Sequence, residues 1–213
     1  LIVNISASHF AFQKQATRRE LVRHGSEIFD SAYLYVNMCA NEAGRIIYDG
    51  SCLAAQKGQI LLESERFSFH EVQMHAVVMS FSDLKQSDTT HKISWSLPES
   101  SEQVSAPSEA RDLSNEEEFV LAETLGLFDY MRKSYSRGFV LSLSGGVDSA
   151  CCAVLVYYMA KRAISELGLN GFKKRLAYFS EIQDCESLEE MMPHLLLTVY
   201  QATKNSGPVT DNA

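Results

Sequence analysis

The chain has 213 residues, of which 46% are hydrophobic, and this is enough apolar material for one large domain or two smaller ones. Its formal charge of −8 argues against a protein that binds nucleic acid by neutralising phosphates, because that mode needs a surplus of lysine and arginine. The longest apolar run, Ala153 to Ala160, is much shorter than the roughly 20 residues that span a bilayer, so no membrane partner is expected.

The cysteines and the two ends of the chain give further expectations. The five cysteines are odd in number and have no metal-ligand spacing, so we expect reduced thiols and a cytoplasmic location. Leu1 to Ile5 has the pattern of a buried strand without a leading methionine or a signal peptide, and Pro208 to Ala213 resembles the start of a helix. We therefore expect an internal stretch of a longer protein.

Residues 1–83 alternate strand and helix patterns and predict a layered α/β domain. A helix is predicted at residues 15–29, and strands are predicted at residues 1–5, 33–36, 45–48, 52–56, 59–63 and 72–81. In the helix we expect Leu21, Ile28 and Phe29 to share one side, while Arg18 and the neighbouring charged residues stay in solvent.

Residues 84–113 are rich in serine, aspartate, threonine, glutamate and proline, and we interpret them as a linker. The alternative is a long surface loop of a single domain. That alternative rests on Ile93, Trp95 and Leu97, which alternate as in a short strand that could dock elsewhere.

Residues 114–213 predict a second α/β domain. Ser114 and Glu117 form a capping box that opens a helix extending to about Tyr135. A short apolar strand at residues 139–143, a helix at residues 150–166 and a strand at residues 194–200 then make a βαβ unit with a parallel sheet.

The strongest chemical signal is the hexapeptide between that strand and that helix. Adjacent glycines allow a close backbone approach, and the helix start directs N–H groups and a positive dipole at one point, which favours a bound phosphate. Ser144 and Ser149 add hydroxyl donors, and Asp148 could hold a Mg²⁺ that bridges phosphates. The predicted ATP-binding residues are Ser144, Gly145, Gly146, Val147, Asp148 and Ser149, with Asp148 as the metal ligand.

Three familiar loops can be excluded by their letters. A Walker A loop requires a lysine after its glycines, and no lysine follows the glycines here. A Rossmann fingerprint has glycines that are separated, whereas these are adjacent. A hydrolase elbow begins with a glycine two residues before its serine, and that position is Ser142 here. A plain serine and glycine turn without a ligand remains the alternative. The hexapeptide matches the S-G-G-x-D-S loop of the N-type ATP pyrophosphatases, which it resembles over the whole strand, loop and helix.

Other segments narrow the resemblance to glutamine-dependent NAD synthetases. In these enzymes a nitrilase-like amidase domain precedes the ATP-pyrophosphatase domain. The matching segments, in order and spacing, are Asn4–Ser8, Tyr35–Asn37, Gly44–Arg45, Tyr48–Gly50, Asp129–Lys133 and Gln201–Gly207.

The resemblance implies a fold and a domain order. Residues 1–83 would be the later half of a nitrilase-like αββα sandwich, and residues 84–113 would be the linker. Residues 114–213 would begin an adenine-nucleotide α-hydrolase-like domain with a parallel sheet.

The resemblance also implies a ligase. ATP would adenylate deamido-NAD, and ammonia from glutamine would displace AMP to give NAD. ATP and Mg²⁺ are implied as cofactors, small molecules as partners, and a homo-oligomer as the assembly. Alternatives are another N-type pyrophosphatase that amidates or thiolates a different substrate, and a nucleotide-binding fragment without activity.

Particular residues match family positions. Ser8 and Lys14 correspond to glutamine contacts, with Lys14 standing where some members have arginine, and Tyr130 and Ser134 correspond to deamido-NAD contacts. Lys14 could instead be a solvated charge, Ser8 a turn residue and Tyr130 a packing residue. Thr203 and Ser206 are weaker candidates for ligand contacts, because they follow the second strand of the βαβ unit at the carboxyl edge of the sheet, where α/β proteins bind ligands.

The amidase nucleophile, a cysteine with glutamate and lysine partners, is expected upstream. No catalytic residue is therefore predicted within the chain. Cys39 falls away from the nucleophile position, and we interpret it as a structural thiol.

Overall fold

The computed structural model describes residues 1–42, 44–80 and 112–200. The elements in these ranges include both strands and helices, and the α/β prediction is confirmed. They are β1 (Ile2–Ser6), α1 (Lys14–Ile28), β2 (Tyr33–Asn37), β3 (Cys39–Glu42), β4 (Ile46–Asp49), β5 (Cys52–Gln56), β6 (Gln59–Glu63), α2 (Asn115–Ser134), β7 (Phe139–Ser142), α3 (Val147–Arg175), a 3-10 turn (Ser180–Ile182), α4 (Leu188–Leu195) and β8 (Leu196–Val199). None of these helices is long and apolar enough to cross a membrane.

The chain divides into two compact units that are not contiguous in sequence. The first contains Leu1–Met38, Gly50–Arg66 and Val72–Asp112, and the second contains Cys39–Asp49, Phe67–Glu71 and the chain from Leu113 onward. The predicted domain boundaries at residues 83 and 114 differ from the limits of these units, and they remain a prediction.

A four-stranded sheet forms the first unit, in the order β1-β2-β5-β6. β1 and β2 are parallel, while the β2–β5 and β5–β6 pairs are antiparallel. Helix α1 lies on this sheet, and the core between them contains Val22, Tyr33, Tyr35, Leu53 and Ala55. The parallel pair places the carboxyl ends of β1 and β2 side by side.

The predicted orientation of α1 is wrong. Its buried residues are Gln15, Arg18, Val22 and Ser26, whereas Leu21, Ile28 and Phe29 are 52%, 62% and 66% exposed. The helix turns a mostly polar stripe toward the sheet because buried side chains on that stripe find hydrogen-bond partners there. Arg18, for example, donates to the Ser8 carbonyl at 2.8 Å.

The predicted strand at residues 72–81 is also wrong. Residues 72–80 are irregular, and Val72, Met74 and Val78 are 76%, 90% and 80% exposed. Alternating apolar residues are typical of a strand with one buried face. A strand also needs hydrogen bonds to a neighbouring strand, and the alternation gives no information about such a neighbour. Conversely, β3 was not predicted, since Cys39-Ala-Asn-Glu42 has little apolar alternation.

The second unit has helices α2 and α3 packed on each other. The capping box is confirmed: the Ser114 hydroxyl accepts from the Glu117 amide at 3.2 Å, and the Glu117 carboxylate accepts from the Ser114 amide at 2.9 Å. The buried ring of Phe128 contacts Phe69 and Phe172, at centroid distances of 5.2 and 5.8 Å. These rings anchor the centre of the unit.

The predicted βαβ unit is confirmed, with changes at its edges. β7 and β8 are parallel, and Phe139 is opposite Leu196. Helix α3 begins at Val147 rather than at 150 and continues to Arg175 through a kink at Gly168. Residues 194 and 195 belong to α4 rather than to the strand, because Ser187 caps a helix that ends at Leu195.

Candidate functional site

The predicted phosphate loop lies at the carboxyl edge of the β7–β8 pair. β7 ends at Ser142, and the Leu143 amide still donates to the Val199 carbonyl at 3.0 Å. The chain then turns through residues 144–146 and enters α3 at Val147. This handover from a parallel strand to a helix is where α/β proteins bind ligands.

Ser149 organises the loop from inside. It is the buried member of the hexapeptide, and its hydroxyl donates to the Gly146 carbonyl at 3.0 Å. The Ser144 hydroxyl lies 3.3 Å from the Ser149 hydroxyl, and the Gly146 amide donates to the Ser144 hydroxyl at 3.4 Å. The two serines that sequence reasoning treated as ligand donors therefore also shape the loop.

The outer part of the loop is open to solvent. Gly145 has a φ of 71°, in the left-handed region that favours glycine, and Gly146 is the N-cap of α3 without a side-chain cap. Val147 is 84% exposed. Because the first N–H groups of a helix have no intrahelical acceptor, this uncapped start offers donors and a positive dipole to an anion.

Asp148 lies in the first turn of α3 and is exposed. Among the described residues, no group of three or more histidine, cysteine, aspartate or glutamate side chains could hold a metal ion by itself. A single carboxylate beside phosphate donors is the usual protein share of a Mg²⁺ site, in which nucleotide oxygens and water supply the other ligands. The loop therefore fits a magnesium ion that arrives with a nucleotide.

Tyr130 and Ser134 lie one turn apart near the end of α2. The Ser134 hydroxyl donates to the Tyr130 carbonyl at 2.6 Å and lies 2.7 Å from the Ser136 hydroxyl. The Tyr130 side chain is 49% exposed, and its ring lies beside Gly44 of the β3–β4 hairpin. Part of the ring thus packs and part faces solvent. Thr203 and Ser206 lie outside the described residues.

The predicted glutamine residues lie beyond the carboxyl end of β1, in the first unit. The Asn37 side chain holds Ser8 by both ends: its oxygen accepts from the Ser8 amide at 2.8 Å, and its nitrogen donates to the Ser8 carbonyl at 2.9 Å. Arg18 donates to the same carbonyl at 2.8 Å and to the Ser8 hydroxyl at 3.2 Å. Ser8 is therefore fixed by partners from β2 and α1.

Arg18, not Lys14, is the cation bonded to Ser8. Lys14 donates to the His9 carbonyl at 2.8 Å, while the guanidinium of buried Arg18 lies 5.9 Å from the centre of the Tyr35 ring. Sequence reasoning missed Arg18 because it assigned the arginines of α1 to solvent. A signal was present in the spacing, since Gln15, Arg18 and Val22 follow one helical stripe.

Cys39 has the environment of a structural thiol. Its Sγ donates to the Ser68 carbonyl at 3.4 Å. Burial, with smaller contributions from the carboxylates of Asp129 and Asp49, raises the pKa of the Cys39 thiol to about 12. The thiol is therefore protonated at neutral pH and is a poor nucleophile.

Comparisons with known proteins agree with the resemblance. The chain is 30% identical to the glutamine-dependent NAD(+) synthetases of Macaca fascicularis and Homo sapiens, and the match covers 99% of the chain and 33% of each relative. The chain thus spans about a third of the length of these curated relatives. No protein-family model matches it.

Solved structures give the same result. The crystal structure of a glutamine-dependent NAD(+) synthetase from Cytophaga hutchinsonii is similar, with 39% identity and a TM-score of 0.72, over 96% of this chain and 32% of that one. A glutamine-dependent NAD+ synthetase from Acinetobacter baumannii shares the fold, at 15% identity and a TM-score of 0.61 over 100% of this chain. The family resemblance is confirmed: over nearly all of its length, this chain is homologous to a segment of the glutamine-dependent NAD(+) synthetases.

Proposed function

We propose that the protein carrying this chain is a ligase that forms NAD from deamido-NAD, using ATP and ammonia taken from glutamine. The supporting observation is the open S-G-G-V-D-S loop at the start of α3, within a chain whose similarity to glutamine-dependent NAD(+) synthetases extends over 99% of its length. The proposal covers the complete protein, of which these residues supply the nucleotide loop and part of the amidase-like half.

In this proposal the loop binds the phosphates of ATP. A carboxylate oxygen of deamido-NAD attacks the α-phosphorus, the bond to the bridging oxygen breaks, and pyrophosphate leaves with that electron pair. The N–H groups at the start of α3 and the hydroxyl of Ser144 stabilise the negative charge that develops on the departing phosphates. Asp148 would hold a Mg²⁺, and this ion would supply positive charge that stabilises the departing phosphates. The A. baumannii relative is described in complex with ADP, which supports a nucleotide site in this fold.

Deamido-NAD would lie near the end of α2. The half-exposed ring of Tyr130 offers a stacking surface, and the exposed Ser134 offers a hydroxyl one turn later. Ammonia then attacks the adenylated carboxyl carbon, AMP leaves, and the amide of NAD forms.

Glutamine would be recognised at the carboxyl edge of the β1–β2 pair. Ser8 contributes its hydroxyl, and Arg18 keeps that hydroxyl in place. Lys14 lies at the start of α1 and supplies a further cation for the α-carboxylate of glutamine. The cysteine nucleophile with its glutamate and lysine partners would come from the rest of the protein.

We also propose a cytoplasmic homo-oligomer whose partners are small molecules. The cytoplasmic location rests on the five cysteines, none of which forms a disulfide in the part of the chain that the structure describes. The acidic charge of −8 makes nucleic acid a poor partner.

The test is calorimetric titration of the 213-residue chain with ATP, with and without Mg²⁺. Asp148→Ala should weaken binding about tenfold or more in the presence of Mg²⁺, the equivalent of about 1.4 kcal/mol. Without Mg²⁺ the variant should bind ATP no more weakly than the unaltered chain and somewhat more tightly, because the Asp148 carboxylate then only repels the phosphates. Glu189→Ala removes an exposed carboxylate from the first turn of α4 and is the matched control.

The same pair should then be assayed in the complete protein for NAD formation with ammonia supplied. Unchanged NAD formation by Asp148→Ala would contradict the assigned metal role. Product formation from a different acceptor, with none from deamido-NAD, would favour another N-type pyrophosphatase.

A further inference from the structure

Two segments of the sequence's first half are built into the second unit. They are the β3–β4 hairpin, within Cys39–Asp49, and the short segment Phe67–Glu71. By the sequence prediction both belong to the amidase-like part, yet their contacts are with α2 and α3 of the part that carries the phosphate loop.

The hairpin is held on α2 by its backbone at Asn41. The carboxylate of Asp129 accepts from the Asn41 amide at 2.9 Å, and the ammonium of Lys133 donates to the Asn41 carbonyl. Asp129 is 5% exposed, and its charge is balanced by Lys133 at 3.2 Å and Arg132 at 3.0 Å. One turn of α2 therefore binds both the amide and the carbonyl of Asn41. A buried carboxylate is retained at low cost only where such donors surround it.

Two further residues on the same side of α2, Gly126 and Tyr130, lie close to the hairpin. A Cβ on Gly126 would lie 3.0 Å from Cδ1 of Ile47, so the absence of a side chain lets β4 approach the helix. The Tyr130 ring lies beside Gly44, where a Cβ would be 3.3 Å from it. Gly126, Asp129, Tyr130 and Lys133 follow helical spacing, so one stripe of α2 faces the hairpin.

The Phe67–Glu71 segment is held on α3 in the same way. Glu166 accepts from the Phe69 amide at 3.0 Å and from the Ser68 hydroxyl. Arg162 donates to the Phe67 carbonyl at 3.3 Å and lies 4.9 Å from the centre of the Phe69 ring. The carboxylate of Glu71 is paired with Arg175 and lies 3.7 Å from Arg132.

These contacts lie on the two helices that flank the phosphate loop. α2 ends at Ser134, five residues before β7 begins, and α3 starts inside the loop itself. The hairpin and the segment therefore pack against the elements that place the loop at its sheet edge.

We propose that Asp129 and Lys133, which hold the β3–β4 hairpin on α2, are positioning residues for the use of glutamine nitrogen. Neither residue is proposed to contact a substrate. Both act through the Asn41 peptide, which they hold in register with α2. This inference rests on the proposed function, because it requires a glutamine-derived nitrogen to be used at the ATP-binding half.

The test compares two nitrogen sources in the complete protein. Lys133→Met keeps the aliphatic stem and removes the donor to the Asn41 carbonyl, and its side chain is 42% exposed, so the helix should tolerate it. We expect the rate of NAD formation with glutamine to fall about fivefold or more relative to the rate with saturating ammonium, since misplaced groups lose effective concentration. Lys174→Met, at an exposed lysine in the last turn of α3, should leave the ratio unchanged.

Amide hydrogen exchange of the 213-residue chain tests the contact without any assay of activity. Asp129→Ala removes the acceptor of the Asn41 amide, whose exchange should become about tenfold faster or more, while amides of β2 and β5 keep their rates. A second variant, Asp129→Asn, retains an acceptor and should restore much of the protection.

The outcomes separate the two claims. The positioning role would be overturned if Lys133→Met left the ratio of the glutamine rate to the ammonium rate unchanged, including the case in which both rates fall equally. It would also be overturned if Asp129→Ala did not change the exchange rate of the Asn41 amide. If the unaltered protein forms no NAD from ammonium, the proposed function fails, and the coupling inferred from it fails too. The exchange measurement would then still report whether Asp129 holds the hairpin.

Discussion

Gly138 directly precedes β7 and lies against the backbone at the end of α4, and replacing it with alanine should lower the free energy of unfolding. Its φ is 88°, in the left-handed region that side chains disfavour, and a Cβ there would lie 2.6 Å from the Leu195 carbonyl oxygen and 2.7 Å from that of His194. Both obstacles are backbone, so a rotamer change cannot relieve them. Left-handed strain of about 1 to 2 kcal/mol combines with overpacking of about 1 to 3 kcal/mol, which predicts a loss of about 2 to 5 kcal/mol for Gly138→Ala.

The matched control is Gly58→Ala in the β5–β6 turn. Gly58 has a φ of 76°, but a Cβ there would meet Glu27 side-chain atoms only at 3.4 Å or more. This variant should lose about 1 to 2 kcal/mol from backbone strain alone. Urea unfolding followed by far-ultraviolet circular dichroism compares the two, since both remove the same freedom from the unfolded chain. If Gly138→Ala lowered the free energy of unfolding no more than Gly58→Ala did, the expected clash with the Leu195 and His194 carbonyl oxygens would be refuted.

Two further predictions concern the start of α2 and the thiols. Ser114→Ala should lower the free energy of unfolding by about 1 kcal/mol through loss of the N-cap, and Ser114→Asp should not, as urea unfolding would show; equal losses would contradict the capping role. At pH 8 the Cys39 thiol, with its pKa raised to about 12, should react with iodoacetamide roughly a hundredfold more slowly than the exposed Cys151 and Cys152, as peptide mass spectrometry would measure. Because this thiol ionises near its ordinary 9.0 once unfolded, the stability that it contributes is complete below about pH 9 and declines toward pH 12. Rapid labelling of Cys39 in the folded chain would contradict its burial.

Local signals in the sequence were sufficient for the position of the loop at residues 144–149, between a strand and a helix, and for the start of α2. The capping box joins residues three apart, and the Ser149 hydrogen bonds join residues at most five apart. These contacts join residues that are close together in the sequence, so they can be predicted without knowledge of the fold. The parallel pairing of β7 with β8 was also predictable, since a strand, a helix and a strand in succession have one common arrangement.

Long-range polar contacts were not predictable in the same way. Arg18 was assigned to solvent because burial of an arginine depends on partners that only the fold supplies, here the Ser8 carbonyl and the Tyr35 ring. The hairpin was assigned to the amidase-like half by its position in the sequence, and its bond to Asp129 joins residues 88 apart. Apolar periodicity carries no information about a contact between a carboxylate and a peptide amide.

The two units are not contiguous in sequence, and this has a consequence for anyone who wishes to excise the part of the chain that carries the loop at residues 144–149. A piece that starts at Leu113 would discard the hairpin and Phe67–Glu71 together. It would uncover the Phe128 ring where Phe69 now covers it, and it would leave Asp129 and Glu166 facing water instead of backbone amides. A piece cut at these sequence limits would therefore expose an aromatic surface prone to self-association, and retaining the β3–β4 hairpin and Phe67–Glu71 would avoid this.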